Sequence, residues 1–123
     1  MTHNILVSDP ISEKGLQSLI HHPDFNGDFK SGLTEKEIVD INPNYQGLIV
    51  RSQTQVTESI INHASNLKVI ARAGVGVDNI DIKSATLNGI LVVNAPDGNT
   101  ISATEHSVAM ILAMARNIPQ AYT

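Results

Sequence analysis

Four short apolar runs, Ile5-Leu6-Val7, Leu48-Ile49-Val50, Val69-Ile70-Ala71 and Leu91-Val92-Val93, constrain the fold of this chain more than any other feature. Each is too short for a helix and rich in β-branched residues, which are stiff in a helix but pack well on a pleated surface. None alternates apolar with polar residues, so each predicts a strand covered on both faces, as in a parallel sheet. Parallel neighbours need a crossover, usually a helix, rather than a tight turn. The intervening segments SEKGLQSLIHH, TEKEIVDIN, TESIINHAS and DIKSATLNG carry apolar residues at helical spacing, such as Ile38 with Ile41 and Ile61 with Ala64. Thr34 and Glu37 predict a capping box at one helix start, and Gly89 predicts a helix stop. A fifth, weaker strand is required in DFNGDFK, because one helix precedes it and another follows.

The predicted class is α/β: a flavodoxin-like open parallel five-stranded sheet with helices on both faces, plus a long C-terminal apolar helix. The even spacing of the runs also suggests a solenoid, but no L-x-x-L-x-L ladder or recurring Asn accompanies it. The expected strand order is 2-1-3-4-5, with a ligand crevice where strands 1 and 3 diverge. Asp9 and Pro10, Arg51 and Ser52, and Gly74 to Gly76 would line that crevice. The final segment, SATEHSVAMILAMARNIPQ, opens with Ser102 and Glu105 at capping spacing and contains an unbroken apolar run from Val108 to Ala115. A helix from Ser102 to Ile118 would be about 25 Å long. Being apolar all round, it should be buried all round, which one small sheet cannot achieve. Another subunit or the rest of a longer chain is therefore expected against it.

Composition narrows the function. The chain has 123 residues, 41% hydrophobic and 16% charged, the make-up of one soluble domain. A formal charge of −4 with scattered basic residues argues against nucleic acid as a partner. There is no cysteine, and His3, His21, His22, His63 and His106 show no metal-ligand spacing. The start, MTHNILVSDP, is not a basic leader followed by a long apolar core, and the longest apolar run is far below the ~20 residues of a membrane span. The expected location is cytoplasmic, with no membrane partner.

The stretch ARAGVGVDNID carries the most chemistry. Gly74-Val75-Gly76 follows a strand run, as the dinucleotide fingerprint does, but Asn79 stands where the third glycine should allow close helix packing. Asp97 lies about 20 positions further on, where a ribose-binding acid would be, yet it sits in NAPDGN, a turn sequence. A compact anion fits better: paired glycines let successive backbone N–H groups converge on a carboxylate or phosphate. Arg51, with Ser52 and Thr54 beside it, can fork onto the same anion. Arg72 is costly to bury unless paired, which makes it a second candidate. Glu105 and His106 read as capping and packing residues. No catalytic base, metal or complete cofactor loop emerges, so no catalytic residue is assigned.

LIVRSQTQVTE, LKVIARAGVGVDNIDIKSA and GILVVNAPDGNTISATEHSVAMILAMARNIPQA resemble the N-terminal part of the D-2-hydroxyacid dehydrogenases, most of all the phosphoglycerate branch. The resemblance runs from about Ile5 to Ala121. It implies a two-domain, NAD-dependent enzyme. Residues 1–98 would be its substrate-binding domain, and 99–123 the hinge and first helix associated with a Rossmann domain beyond Thr123. The family's catalytic Arg, Glu and His fall in that further part, so none is carried onto this chain. Arg51 and Ser52 match the pair that contacts the substrate's anionic groups. Val75 and Gly76 match the loop whose amides hold the substrate carboxylate near the nicotinamide, although Val75 replaces a threonine found in some members. Arg72 matches an arginine that would meet a phosphate, and Asn99 falls in the hinge beside the substrate. The implied substrate is 3-phosphoglycerate or a related 2-hydroxy acid, with serine biosynthesis as the setting. The implied partner is a second copy, docked through the last helix. Glycerate, hydroxypyruvate or D-lactate as substrate, and a stand-alone small-anion binding module, remain open alternatives.

Overall fold

The computed structural model describes residues 2–11, 13–74, 76–94 and 111. Strands β1 (His3–Val7), β2 (Phe25–Phe29), β3 (Gly47–Val50), β4 (Val69–Arg72) and β5 (Leu91–Asn94) form one parallel sheet in the order β2-β1-β3-β4-β5. The crossovers carry α1 (Gln17–Ile20), α2 (Glu35–Ile41), α3 (Glu58–Asn62) and α4 (Ile82–Leu87). The weak strand in DFNGDFK is present as edge strand β2. Its tolerance of polar residues follows from having a neighbour on one side only.

Register explains the two cores. Leu6, Leu48, Ile70 and Val92 are aligned across four strands and face one side. They pack there with Ile38 of α2, Ile60 and Ile61 of α3, and Ala85 of α4. The opposite row, Val7, Ile49, Ala71 and Val93, packs with Ile5 and Val69 against Leu16, Leu19, Phe25 and Ile111. Helices therefore cover both faces. Gly47 sits between Ile5 and Val69 in register, and a Cβ there would lie 2.6 Å from the Ile5 Cδ1. The glycine makes room for its larger neighbour.

Two local expectations need correction. β5 is not covered on both faces: Leu91 is exposed, because β5 is an edge strand. The first crossover is only half α-helix, since Glu13–Leu16 is a 3-10 turn leading into α1, and Gly15 within it weakens α-helical propensity. The long C-terminal helix and the division at residues 98 and 99 lie outside the described residues. Ile111 alone of that segment is described; it is helical and buried against the β1–β3–β4 face. No helix among the described residues is long and apolar enough to cross a membrane.

The capping box forms at α2. Thr34 Oγ1 accepts the Glu37 N–H at 3.2 Å, and Glu37 Oε1 accepts the Thr34 N–H at 3.1 Å. Hydrogen bonds to the Glu37 carboxyl from Thr34, the backbone N–H foremost and then the side chain, hold it below its ordinary value. α4 ends before Gly89, whose φ of +70° only glycine adopts without strain. Tyr45, two residues before β3, donates to Asp28 Oδ2 of β2 at 2.7 Å. Burial, then the hydrogen bond and charge of Asp28, pushes its phenol up to about 12. An unfolded tyrosine ionises near ~10, so this contribution to stability is complete below that pH and is lost as pH rises through the folded value. A phenolate absorbance titration, with Tyr122 replaced by Phe, should show Tyr45 ionising late; ionisation at the ordinary value would contradict the buried contact.

Candidate anion-binding site

The carboxyl ends of β1, β3 and β4 meet where the strand order reverses. Beyond Val50 the sheet ladder no longer supports the chain, and its backbone polar groups must find other partners. Side chains supply them. Asp9, buried just after β1, accepts the Arg51 N–H at 2.7 Å and the Thr54 N–H at 3.0 Å, both through Oδ2, and the Thr54 hydroxyl through Oδ1. With that hydroxyl proton committed, Ser8 donates to Thr54 Oγ1 at 3.0 Å. On the other side, Asn79 Nδ2 donates to the carbonyls of Arg51 at 2.6 Å and Thr54 at 2.8 Å. The Val56 N–H reaches the Asn79 carbonyl at 2.8 Å and the Asp81 N–H reaches the Val56 carbonyl at 3.0 Å. A single parallel bridge, Val56 to Ile80, results. The loops after β3 and β4 thus form one body.

Arg51 is held by its backbone and leaves its side chain outside. Its guanidinium is exposed, with Nη1 3.5 Å from the Pro10 carbonyl, and Ser52 is exposed next to it. Arg72, the last residue of β4, lies differently: its side chain is 13% exposed and Nη1 stands 3.8 Å from Asp78 Oδ1. Its Nε donates to the Arg51 carbonyl at 3.3 Å, which answers the need for pairing that burial creates. The guanidinium folds against the glycine loop. A Cβ at Gly76 would lie 3.0 Å from Arg72 Nη1 and 3.2 Å from Asp78 Oδ1, and one at Gly74 would lie 3.7 Å from Arg72 Cζ. The glycines therefore leave room for the arginine side chain.

Of the residues singled out in the sequence, Arg51, Ser52, Arg72 and Gly76 are brought to this one edge. Val75 and Asn99 lie outside the described residues, as do Asp97, Glu105 and His106. From the sequence, Asp9 falls at the crevice without a role and Asn79 looks like an obstruction. Both are braces. The only available signal was that Asp and Asn in turns tend to bond backbone groups.

A groove of about 440 Å³ opens beside the site, lined by Asp9, Gln53 and Thr54 with Leu33, Glu35 and Ile38 opposite. Its lining is neutral or acidic, which suits an anion less well than the arginine edge. The β4–α4 unit does not fit a dinucleotide. Asp81 already caps α4, accepting the Ser84 N–H at 3.0 Å, so a diphosphate would meet a fixed negative charge. Among the described residues, no three His, Asp or Glu side chains cluster as a metal site.

Comparison with known proteins extends this picture. Residues 5–123 match the catalytic-domain model of the D-isomer specific 2-hydroxyacid dehydrogenases. The chain is 54% identical over 117 residues to D-3-phosphoglycerate dehydrogenase of Synechocystis sp., covering 95% of this chain and 21% of that protein. It is 50% identical over 117 residues to the protein of the same name in Archaeoglobus fulgidus, covering 95% and 22%. The chain thus spans about a fifth of the length of these curated relatives. Among solved structures, the cofactor (NAD+) bound 3-phosphoglycerate dehydrogenase of Entamoeba histolytica is similar at a TM-score of 0.70 and 26% identity, over 77% of this chain and 33% of that one. The TT0316 protein of Thermus thermophilus is similar at 0.69 and 27%, over 97% and 39%. A family model that matches nearly the whole chain, on a parallel sheet of this order, means that the chain belongs to the D-isomer specific 2-hydroxyacid dehydrogenase family.

Proposed function

We propose that this chain is the substrate-binding portion of an NAD-dependent D-3-phosphoglycerate dehydrogenase, which converts 3-phosphoglycerate to 3-phosphohydroxypyruvate at the start of serine biosynthesis. The observation that carries this reading is the capture of both Arg51 backbone groups by buried side chains, which leaves its guanidinium and Ser52 exposed, while Arg72, lying against Gly74 and Gly76, bonds to the Arg51 carbonyl. An exposed arginine on a fixed backbone can fork onto a carboxylate at little further entropic cost. Arg51 and Ser52 would hold the acid's anionic groups, the amides of Val75 and Gly76 its carboxylate, with Asn99 at the hinge. Positioning of this kind is what makes transfer from C2 effectively unimolecular. NAD, held by the rest of the polypeptide, would supply the hydride acceptor, with Val75 near its nicotinamide. Residues 1–98 would form the substrate domain and 99–123 the hinge and first helix toward the cofactor domain. A second copy would dock through that helix, and the enzyme would work in the cytoplasm.

The direct test is the complete gene product, assayed for NADH formation with 3-phosphoglycerate, glycerate and D-lactate. The reading expects the highest kcat/KM for 3-phosphoglycerate; no turnover of any of the three would sink it. A second reading, an unphosphorylated 2-hydroxy acid as substrate, is favoured by one observation. Arg72 is largely enclosed, with Nε on the Arg51 carbonyl and Nη1 turned toward Asp78. Arg72→Ala separates the two. If Arg72 meets a phosphate, kcat/KM for 3-phosphoglycerate should fall about tenfold or more beyond the loss for glycerate, the scale of one charge-assisted hydrogen bond. An equal loss on both would assign Arg72 to loop support.

A further inference from the structure

We propose that Asp9 and Asn79 are positioning residues that aim Arg51 at the substrate anion, an inference that rests on the functional reading above. Both are buried: Asp9 is 4% and Asn79 7% exposed. Both act on the same short segment from opposite sides. Asp9, after β1, takes the N–H groups of Arg51 and Thr54; Asn79, after β4, takes the carbonyls of the same two residues. The two braces grip both ends of the Arg51–Thr54 loop, so Arg51 and Ser52 inherit their direction from residues on two other strands.

Stability alone accounts poorly for Asn79. Its Oδ1 is buried and bonds to no described residue, an arrangement that costs free energy. Its two amide protons are both spent on the loop that carries the arginine, and that is where its effect is concentrated. A carboxylate cannot replace it, because two carbonyl oxygens already face the position. An amide at Asp9 would keep one oxygen for the two N–H donors but lose the charge that strengthens both bonds.

The test uses the complete dehydrogenase. In Asn79→Asp, and separately in Asp9→Asn, KM for 3-phosphoglycerate should rise about tenfold or more, with kcat falling less than about threefold, the scale of one or two lost buried hydrogen bonds. NAD affinity should not change. Calorimetric affinity for 3-phosphoglycerate should weaken by the same factor, and this readout does not need turnover. The same substitutions are then made in an Arg51→Ala background, where they should weaken binding no further, because their effect passes through Arg51. Unchanged affinity in the single variants would overturn the proposal. So would a loss that simply adds to that of Arg51→Ala, or a lower kcat at constant KM, which reports a smaller folded fraction. If Asn79→Asp fails to fold, the Asp9→Asn cycle decides. A wild-type enzyme that binds 3-phosphoglycerate without turning it over defeats the functional reading alone; one that does not bind it defeats both.

Discussion

Replacing Arg51 by alanine is expected to lower kcat/KM for 3-phosphoglycerate, the proposed substrate, by about a hundred- to ten-thousandfold in the complete enzyme. The estimate follows from two charge-assisted hydrogen bonds of about 1.5–3 kcal/mol each, lost in the complex. The fold should not suffer. The guanidinium is exposed and, among the described residues, its hydrogen bond is the 3.5 Å contact with the Pro10 carbonyl, whereas the backbone bonds to Asp9 and Asn79 survive truncation. Thermal stability should therefore stay within about 0.5 kcal/mol of wild type, as for other surface changes. Arg51→Lys should recover only part of the loss, since an ammonium keeps the charge but not the planar fork. Steady-state kinetics of the three proteins check this. Near-normal kcat/KM in Arg51→Ala would place the substrate anion elsewhere.

The largest expected effect on stability is at the centre of the sheet. Leu48 on β3 is fully buried between Leu6 and Ile70 in register. Leu48→Ala should cost about 2–5 kcal/mol, combining lost transfer energy with a cavity that neighbouring strands cannot collapse into. At about 1–3 kcal/mol per molar urea, the midpoint should drop by roughly 0.7 molar or more. Leu87 on α4, 78% exposed, is the internal control: Leu87→Ala should shift the midpoint little. Urea unfolding of both variants is decisive, because similar losses at the two sites would contradict the packing described for β3.

A good part of this architecture was legible in the amino-acid order. Short β-branched runs separated by helical segments allow few topologies, because crossovers are right-handed and neighbours in sequence tend to be neighbours in space. That reasoning reached the strand order and the need for β2 in DFNGDFK, both of which the sheet displays. Local chemistry also sufficed for the Thr34–Glu37 box and the Gly89 stop, since each involves residues within one turn of each other. Motif density then identified the family, and with it the interest of Arg51, Ser52 and the glycine loop.

What the order could not disclose is how the site is held. Asp9 meets Thr54 across 45 positions and Asn79 meets Arg51 across 28, so these bonds exist only once β1, β3 and β4 lie side by side. Read locally, Asn79 is a misplaced residue in a glycine motif; in the assembled sheet it is the donor that two stranded carbonyls require. Arg72 depends on the assembly in the same way: the sequence says only that it must pair if buried, and the folded side chain lies under Gly74 and Gly76 and bonds to the neighbouring loop. Hydrophobic period and capping are properties of a few consecutive residues, so the sequence by itself determined the elements and their order. The partners of a buried polar group depend on which strand ends become neighbours, and only the tertiary structure decided that.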